Sequence, residues 1–284
     1  MRRANNNARV VDRVNSLLVR VGCAFTYDIR TPCAAVFLVR PDGTGATLGV
    51  FDESWETNPA IPYRDYRDLY GNRCRRLTLA PGRFCLHYDA DVAISPDPAP
   101  ADRSVRQLPV DELPDDVLMY TLASRFCLSD EIGTEAWDRF GSIAPGFGLV
   151  EAICDWVHGN VRFEYGLTSP HKTASDVLRE RTGVCRDFTH LAIAFCRALS
   201  IPARYAFGYL PDIDVPEATT AMDFCAWFEV YLGDRWWTFD ARNNSRRIGN
   251  IVIGRGRDAA DVPMITTYGD ARFETMSVRA DLVG

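Results

Sequence analysis

The sequence predicts an α+β fold in two parts: an N-terminal antiparallel β-sandwich over residues 1–100 and a mixed helix-and-sheet domain over residues 101–284. Three observations carry this reading. Short apolar segments alternate with turn residues up to about residue 95, helical spacing takes over after a proline-rich stretch, and strand-like segments return beyond residue 203. A chain of 284 residues suits two domains of ordinary size.

In the first part, VNSLLVRVGCAFTYDI, AAVFLV, ATLGVFD, CRRLTLA and FCLHYDADVAI read as strands, divided by RPDGTG, TNPAIP, YGN and APG. SPDPAPADRS has the composition of a linker. Beyond it, DELPDDVLMYTLASRFC and GFGLVEAICDWVHGNV carry apolar residues at helical spacing. TASDVLRE opens on a Thr/Ser cap and predicts a short helix. VCRDFTHLAIAFCRALS predicts a strong amphipathic helix, entered through Thr182-Gly183 and stopped before Ile201-Pro202. ARYAFGYLP, FCAWFEVYL and RWWTFDA complete the pattern as strands, and no internal repeat is present.

Composition excludes several classes of function. Hydrophobic residues at 47% and charged residues at 25% are values of a folded globular chain. A net charge of −6 argues against a nucleic-acid partner. No apolar run approaches the ~20 residues needed to span a bilayer, so no membrane association is expected. MRRANNNARVVDRV has basic residues without an apolar core behind them, unlike a secretory signal. The expected location is therefore the cytoplasm, where the nine scattered cysteines, an odd number with no CxxC pair, would remain reduced.

Cys185 falls at the first turn of the amphipathic helix, where unpaired N–H groups and the helix dipole favour a thiolate. A nucleophile is useful there, since the same N–H groups can hold an oxyanion. The hairpin around Gly233-Asp234 supplies further groups. A two-residue turn pairs Leu232 with Arg235, Val230 with Trp237 and Phe228 with Phe239. Continued, that register pairs Trp227 with Asp240 and Cys225 with Arg242, making Cys225 and Asp240 diagonal neighbours on one face.

GVCRDFTHLAIAFCRALSIPARYAFGYL, MDFCAWFEVYLGDRWWTFDARNN and RIGNIVIGRGRDAADVPMITTYG together resemble the bacterial transglutaminase-like family of the papain-like cysteine protease superfamily. The resemblance runs from about Ala152 to the C-terminus, and the front sandwich is similar to that family's usual N-terminal domain. It implies a papain-like transglutaminase core with a Cys, His, Asp triad in chain order. Cys185 matches the nucleophile and Asp240 the orienting acid. The position of the catalytic His is occupied by Cys225, and DARNN departs from the usual DARHN, leaving Asn243 where relatives often carry a second His.

The expectation is a thiol enzyme with a modified site of Cys185, Cys225 and Asp240, acting on an amide, ester or thioester carbonyl by acyl transfer or hydrolysis. Its substrate would be a small-molecule, peptide or carrier-bound acyl compound, with no cofactor. Two alternatives stand beside it: a binding protein that keeps the fold without catalysis, and a zinc shell of Cys185, Cys225 and Asp240 with His171 as a fourth ligand. Among the histidines, His171 on its loop is the freest candidate for a substitute base. His190 lies five residues along the helix from Cys185, turned about 140° away, and His158 reads as structural.

Overall fold

The computed structural model describes residues 16–166, 168–216 and 221–283. The basic N-terminal segment read above as lacking a signal lies outside these. The chain opens with six strands: β1 (Leu17–Ile29), β2 (Cys33–Phe37), β3 (Thr47–Asn58), β4 (Tyr63–Arg67), β5 (Arg73–Leu79) and β6 (Gly82–Ile94). Helices α1 (Asp115–Leu118), α2 (Gly133–Phe140) and α3 (Phe147–Asn160) follow, then β7 (Arg162–Phe163), α4 (Ala174–Glu180), β8 (Thr182–Gly183) and α5 (Cys185–Ala198). Strands β9 (Ala203–Tyr209), β10 (Cys225–Leu232), β11 (Arg235–Phe239), β12 (Ile251–Gly256), β13 (Ile265–Tyr268) and β14 (Ala271–Leu282) close the chain. The fold is mixed α/β with mostly antiparallel sheets; the short β7–β8 pair is parallel.

Two four-stranded antiparallel sheets, in the orders β14-β1-β6-β3 and β13-β2-β5-β4, make up the first part. Side chains alternate across strands, so β2 sends Cys33, Ala35 and Phe37 inward. There the Phe37 ring meets Trp55 of β3 and Phe84 of β6, with centroids 5.7 and 5.9 Å away. Both sheets therefore share one apolar layer.

The division at residue 100 needs correction. Residues 265–282, expected in the second part, form strands of the first two sheets: β13 pairs with β2 and β14 runs the length of β1. The physical reason is edge protection. Paired only with β6, β1 would leave a long open row of N–H and C=O groups, and β14 covers it.

DELPDDVLMYTLASRFC is also not one helix. It contains α1, a 3-10 turn at Met119–Thr121, and irregular chain. Side chains take its backbone groups: Thr121 Oγ1 of the same segment donates to Leu118 O, while from elsewhere in the fold Arg197 Nη1 donates to Leu122 O and Asp258 Oδ2 accepts from Phe126 N. α2 was not expected, because only Ala136 and Phe140 of its eight residues are buried.

The second part is built on α5, buried from Asp187 to Arg197. Phe195 packs its ring against Phe140 of α2 and Trp156 of α3. The sheet β11-β10-β9-β12 carries Ala226, Phe228 and Val230 in the core that contains α5. On the strand positions between them, Glu229 is buried and accepts from Arg204 (2.7 Å) and Arg255 (2.8 Å). Arg255 also binds Asp42, tying this sheet to the first part.

Candidate active site

Local chemistry fixes the start of α5 at Cys185. Val184 is extended, with φ −109° and ψ 178°, and Asp187 reaches back so that its Oδ2 accepts from Val184 N at 3.0 Å. A Cβ on Gly183 would stand 2.6 Å from Asp187 Cβ, so the absence of a side chain there admits the cap. Arg186 in turn binds Asp187 Oδ1 and holds the preceding loop through Thr168 Oγ1 and Ser169 O. Asp187 is completely buried, a polar anchor for the helix end that presents Cys185.

Cys225 is the first residue of β10 and pairs with Gly208 of β9. A Cβ on Gly208 would overlap the Ile251 carbonyl of β12, so these strands close up beside Cys225 only because that residue is glycine. The predicted hairpin register is present: Phe228 faces Phe239, Val230 faces Trp237 and Leu232 faces Arg235.

The two sulfurs meet at the junction of α5 and β10. Cys185 Sγ lies 4.0 Å from Phe224 O, Cys225 Sγ lies 3.8 Å from Ala226 O, and the two thiols are hydrogen-bonded to each other. That bond is the largest influence holding the Cys185 pKa below the usual thiol value. Burial and the charge of Asp223 oppose it, while the Ala226 backbone N–H and the Arg242 charge assist it. Cys225 is pushed well above the usual value by its bond to Cys185, by burial, and by the charges of Cys185 and Asp240. The direction follows from position: the helix N-terminus favours the anion on Cys185, while Asp240 disfavours it on Cys225. Within the pair, Cys225 is therefore the sulfur that keeps its proton and donates, and Cys185 the one on which the anion is favoured.

Asp240 stands one residue beyond the end of β11, where the ladder has stopped at Phe239, so the diagonal pairing with Cys225 on strands is not formed. Its carboxylate serves its own turn instead. Oδ1 accepts from Arg242 N (3.0 Å) and Asn243 N (2.9 Å), and Oδ2 from Asn243 Nδ2 (2.6 Å). His158 holds the same turn, Nδ1 donating to Arg242 O at 2.9 Å. Asp240 thus acts on Cys225 through its charge, and on both sulfurs through the placement of Arg242.

The other histidines are not at the sulfurs. His171 is exposed and lines a separate shallow cavity with Lys172, Asp176 and Glu180. His190 is buried against Phe126, its Nε2 accepting from Ala259 N at 3.2 Å, and burial lowers its pKa to about 3. Among the described residues no group of three or more His, Cys, Asp or Glu side chains is placed to hold a metal ion, so the zinc shell of Cys185, Cys225, Asp240 and His171 is not assembled.

A cavity of about 500 Å³ opens on both sulfurs at the boundary between the two parts of the molecule. Its walls are largely apolar, with Phe25, Phe273 and Met276 from the first part and Phe207 and Phe224 from the second. Asp223 lines it too, two residues before Cys225. It is open to solvent on one side, yet partial burial of its carboxyl raises its pKa against a bond from Phe224 N. Sequence reasoning missed Asp223. The only signal available was its place beside Cys225, and nothing in its spacing marks it as part of a cavity wall.

The model of the transglutaminase-like superfamily matches residues 140–241, a span that holds Cys185, Cys225 and Asp240. A crystal structure of a proposed cysteine protease from Cytophaga hutchinsonii is similar over nearly the whole molecule. Its TM-score is 0.84 at 34% identity, covering 95% of this chain and 92% of that one. The chain belongs to the transglutaminase-like superfamily. Curated relatives are uncharacterized. A Mycobacterium leprae protein is 34% identical over 116 residues, 40% of this chain and 41% of that protein. A Mycobacterium tuberculosis protein is 32% identical over 158 residues, 50% of each. The chain thus spans about half the length of the curated relatives it matches, or less. No helix among the described residues is long and apolar enough to cross a membrane.

Proposed function

We propose that the chain is a transglutaminase-like thiol enzyme with a modified Cys-Cys-Asp site. Cys185 attacks the carbonyl of an amide, ester or thioester and passes the acyl group to water or an amine. One observation carries this reading: Cys185 begins a helix, accepts a hydrogen bond from Cys225, and opens into a cavity.

The missing imidazole has two tasks to be covered, activating the sulfur and handling the leaving group's proton. The first is eased here, because the Cys225 thiol, the Ala226 N–H and Arg242 each favour the anion on Cys185. First-turn N–H groups of α5, which no carbonyl of the helix can reach, stabilise the oxyanion. Asp223 covers the second task at the cavity wall, its raised pKa bringing it closer to neutral pH. Asp240 is a positioning residue that fixes the turn carrying Arg242. A thioester substrate suits this arrangement, since its leaving group needs less protonation than an amine. The apolar walls suit an apolar acyl chain or side chain, on a small molecule, peptide or carrier. No cofactor enters the scheme, and a reducing cytoplasm would keep both thiols reduced.

The test is acyl-enzyme trapping. Brief treatment with an activated ester should place one acyl group on the Cys185 peptide by mass spectrometry, and none in Cys185→Ala. Acylation spread over other cysteines with Cys185 unmodified would refute the proposal.

A further inference from the structure

We infer that Cys185 and Cys225 form an oxidant-reactive dithiol: a hydroperoxide converts the pair to a reversible disulfide, with Cys225 as the resolving thiol that keeps Cys185 from irreversible oxidation.

Acyl transfer explains a nucleophile at position 185 but does not require a second sulfur in contact with it. Both sulfurs sit against the 224–226 backbone, are hydrogen-bonded to each other, and line one solvent-connected cavity. Six of the other cysteines, Cys23, Cys33, Cys74, Cys127, Cys154 and Cys196, are buried. Cys85 is partly exposed, with Thr26 Oγ1 beside its sulfur. Oxidation selects a stabilised, accessible thiolate next to a resolving thiol, and only the 185–225 pair combines those features among the described residues.

In the first step the Cys185 sulfur attacks one peroxide oxygen. An S–O bond forms, the O–O bond breaks, and the departing hydroxide or alkoxide takes the Cys225 proton. The Cys225 thiolate then attacks the Cys185 sulfenic sulfur, forming the S–S bond and expelling hydroxide, which takes up the proton that Cys185 released to solvent on ionising. For hydrogen peroxide the sum is two thiols and one peroxide giving one disulfide and two waters; the sulfur pair loses two electrons and the peroxide gains them. Two equivalents of a low-molecular-weight thiol return the pair to its reduced form by exchange.

The experiment uses the reduced full chain with hydrogen peroxide as the probe and dithiothreitol as the reductant, read by thiol titration and peptide mapping. The expected result is loss of two of the nine thiols, a cross-linked pair of peptides containing Cys185 and Cys225, a mass lower by two hydrogens, and full reversal by dithiothreitol. In Cys225→Ser the same peroxide should instead carry Cys185 to sulfinic acid, a gain of two oxygens that dithiothreitol does not reverse. Sulfinic acid at Cys185 in the unaltered chain, a disulfide joining any other pair, or no reaction at Cys185 would each overturn the inference. The inference shares the Cys185 thiolate with the proposed function, but its readout contains no acyl transfer, so either can fail alone.

Discussion

Asn243 closes on Asp240 through two hydrogen bonds, its backbone N to Oδ1 at 2.9 Å and its side-chain Nδ2 to Oδ2 at 2.6 Å. The carboxylate that would orient an imidazole at position 225 is therefore occupied. Restoring the family arrangement should take two changes. Cys225→His alone is expected to raise hydrolysis of an activated ester only weakly. Cys225→His with Asn243→Ala, which frees Oδ2, should gain about 10²-fold, the lower end of what a positioned acid–base group contributes. Equal rates in the single and double variants would show that Asn243 does not compete for Asp240.

Asp223 can be separated from a structural role by two readouts that move differently. Asp223→Asn should slow acyl transfer by about 10²-fold through loss of the acid–base group. The same change removes a negative charge that raises the Cys185 pKa, so alkylation of Cys185 at neutral pH should hold steady or quicken. A parallel fall in both rates would mean that the variant merely disturbs the cavity.

The hairpin was legible because Gly233-Asp234 leaves a single register that buries Phe228, Val230, Trp237 and Phe239 together, and the structure pairs them so. The start of α5 was legible from Gly183 and the apolar period behind Cys185. Strand β14 was not: Met276, Val278, Ala280 and Leu282 do alternate with polar residues, but eight of its twelve residues are exposed and the apolar face is weak. β4 was missed for the same reason, with all five residues exposed. Asp240 shows a different limit: pattern placed it near Cys225, but a turn of five residues decides where its oxygens point, and turn hydrogen bonds have no period.

His190 gives the fold a measurable pH dependence. Burial, with the Arg186 charge second and Asp187 opposing, lowers its pKa from 6.5 to about 3. Between those values the unfolded chain binds a proton that the folded chain does not. This contribution is thus fully present above pH 6.5 and is lost as pH falls toward 3. Urea unfolding from pH 7 down to 4 should show stability falling by on the order of 1 kcal/mol per pH unit from this group. His190→Gln should be less stable at pH 7 and show a flatter slope. An unchanged slope would contradict a buried neutral imidazole.

The central claim is that the Cys225 thiol holds Cys185 as a thiolate. Its most direct test is the pH profile of Cys185 alkylation by iodoacetamide, mapped by mass spectrometry in the native chain and in Cys225→Ala. The native profile should have its midpoint below the ordinary thiol range, with Cys185 labelled ahead of the other eight cysteines. Removing the donor should move the midpoint to higher pH and slow labelling severalfold at pH 7. A native midpoint at or above the ordinary thiol range, or identical profiles in the two proteins, would contradict the account.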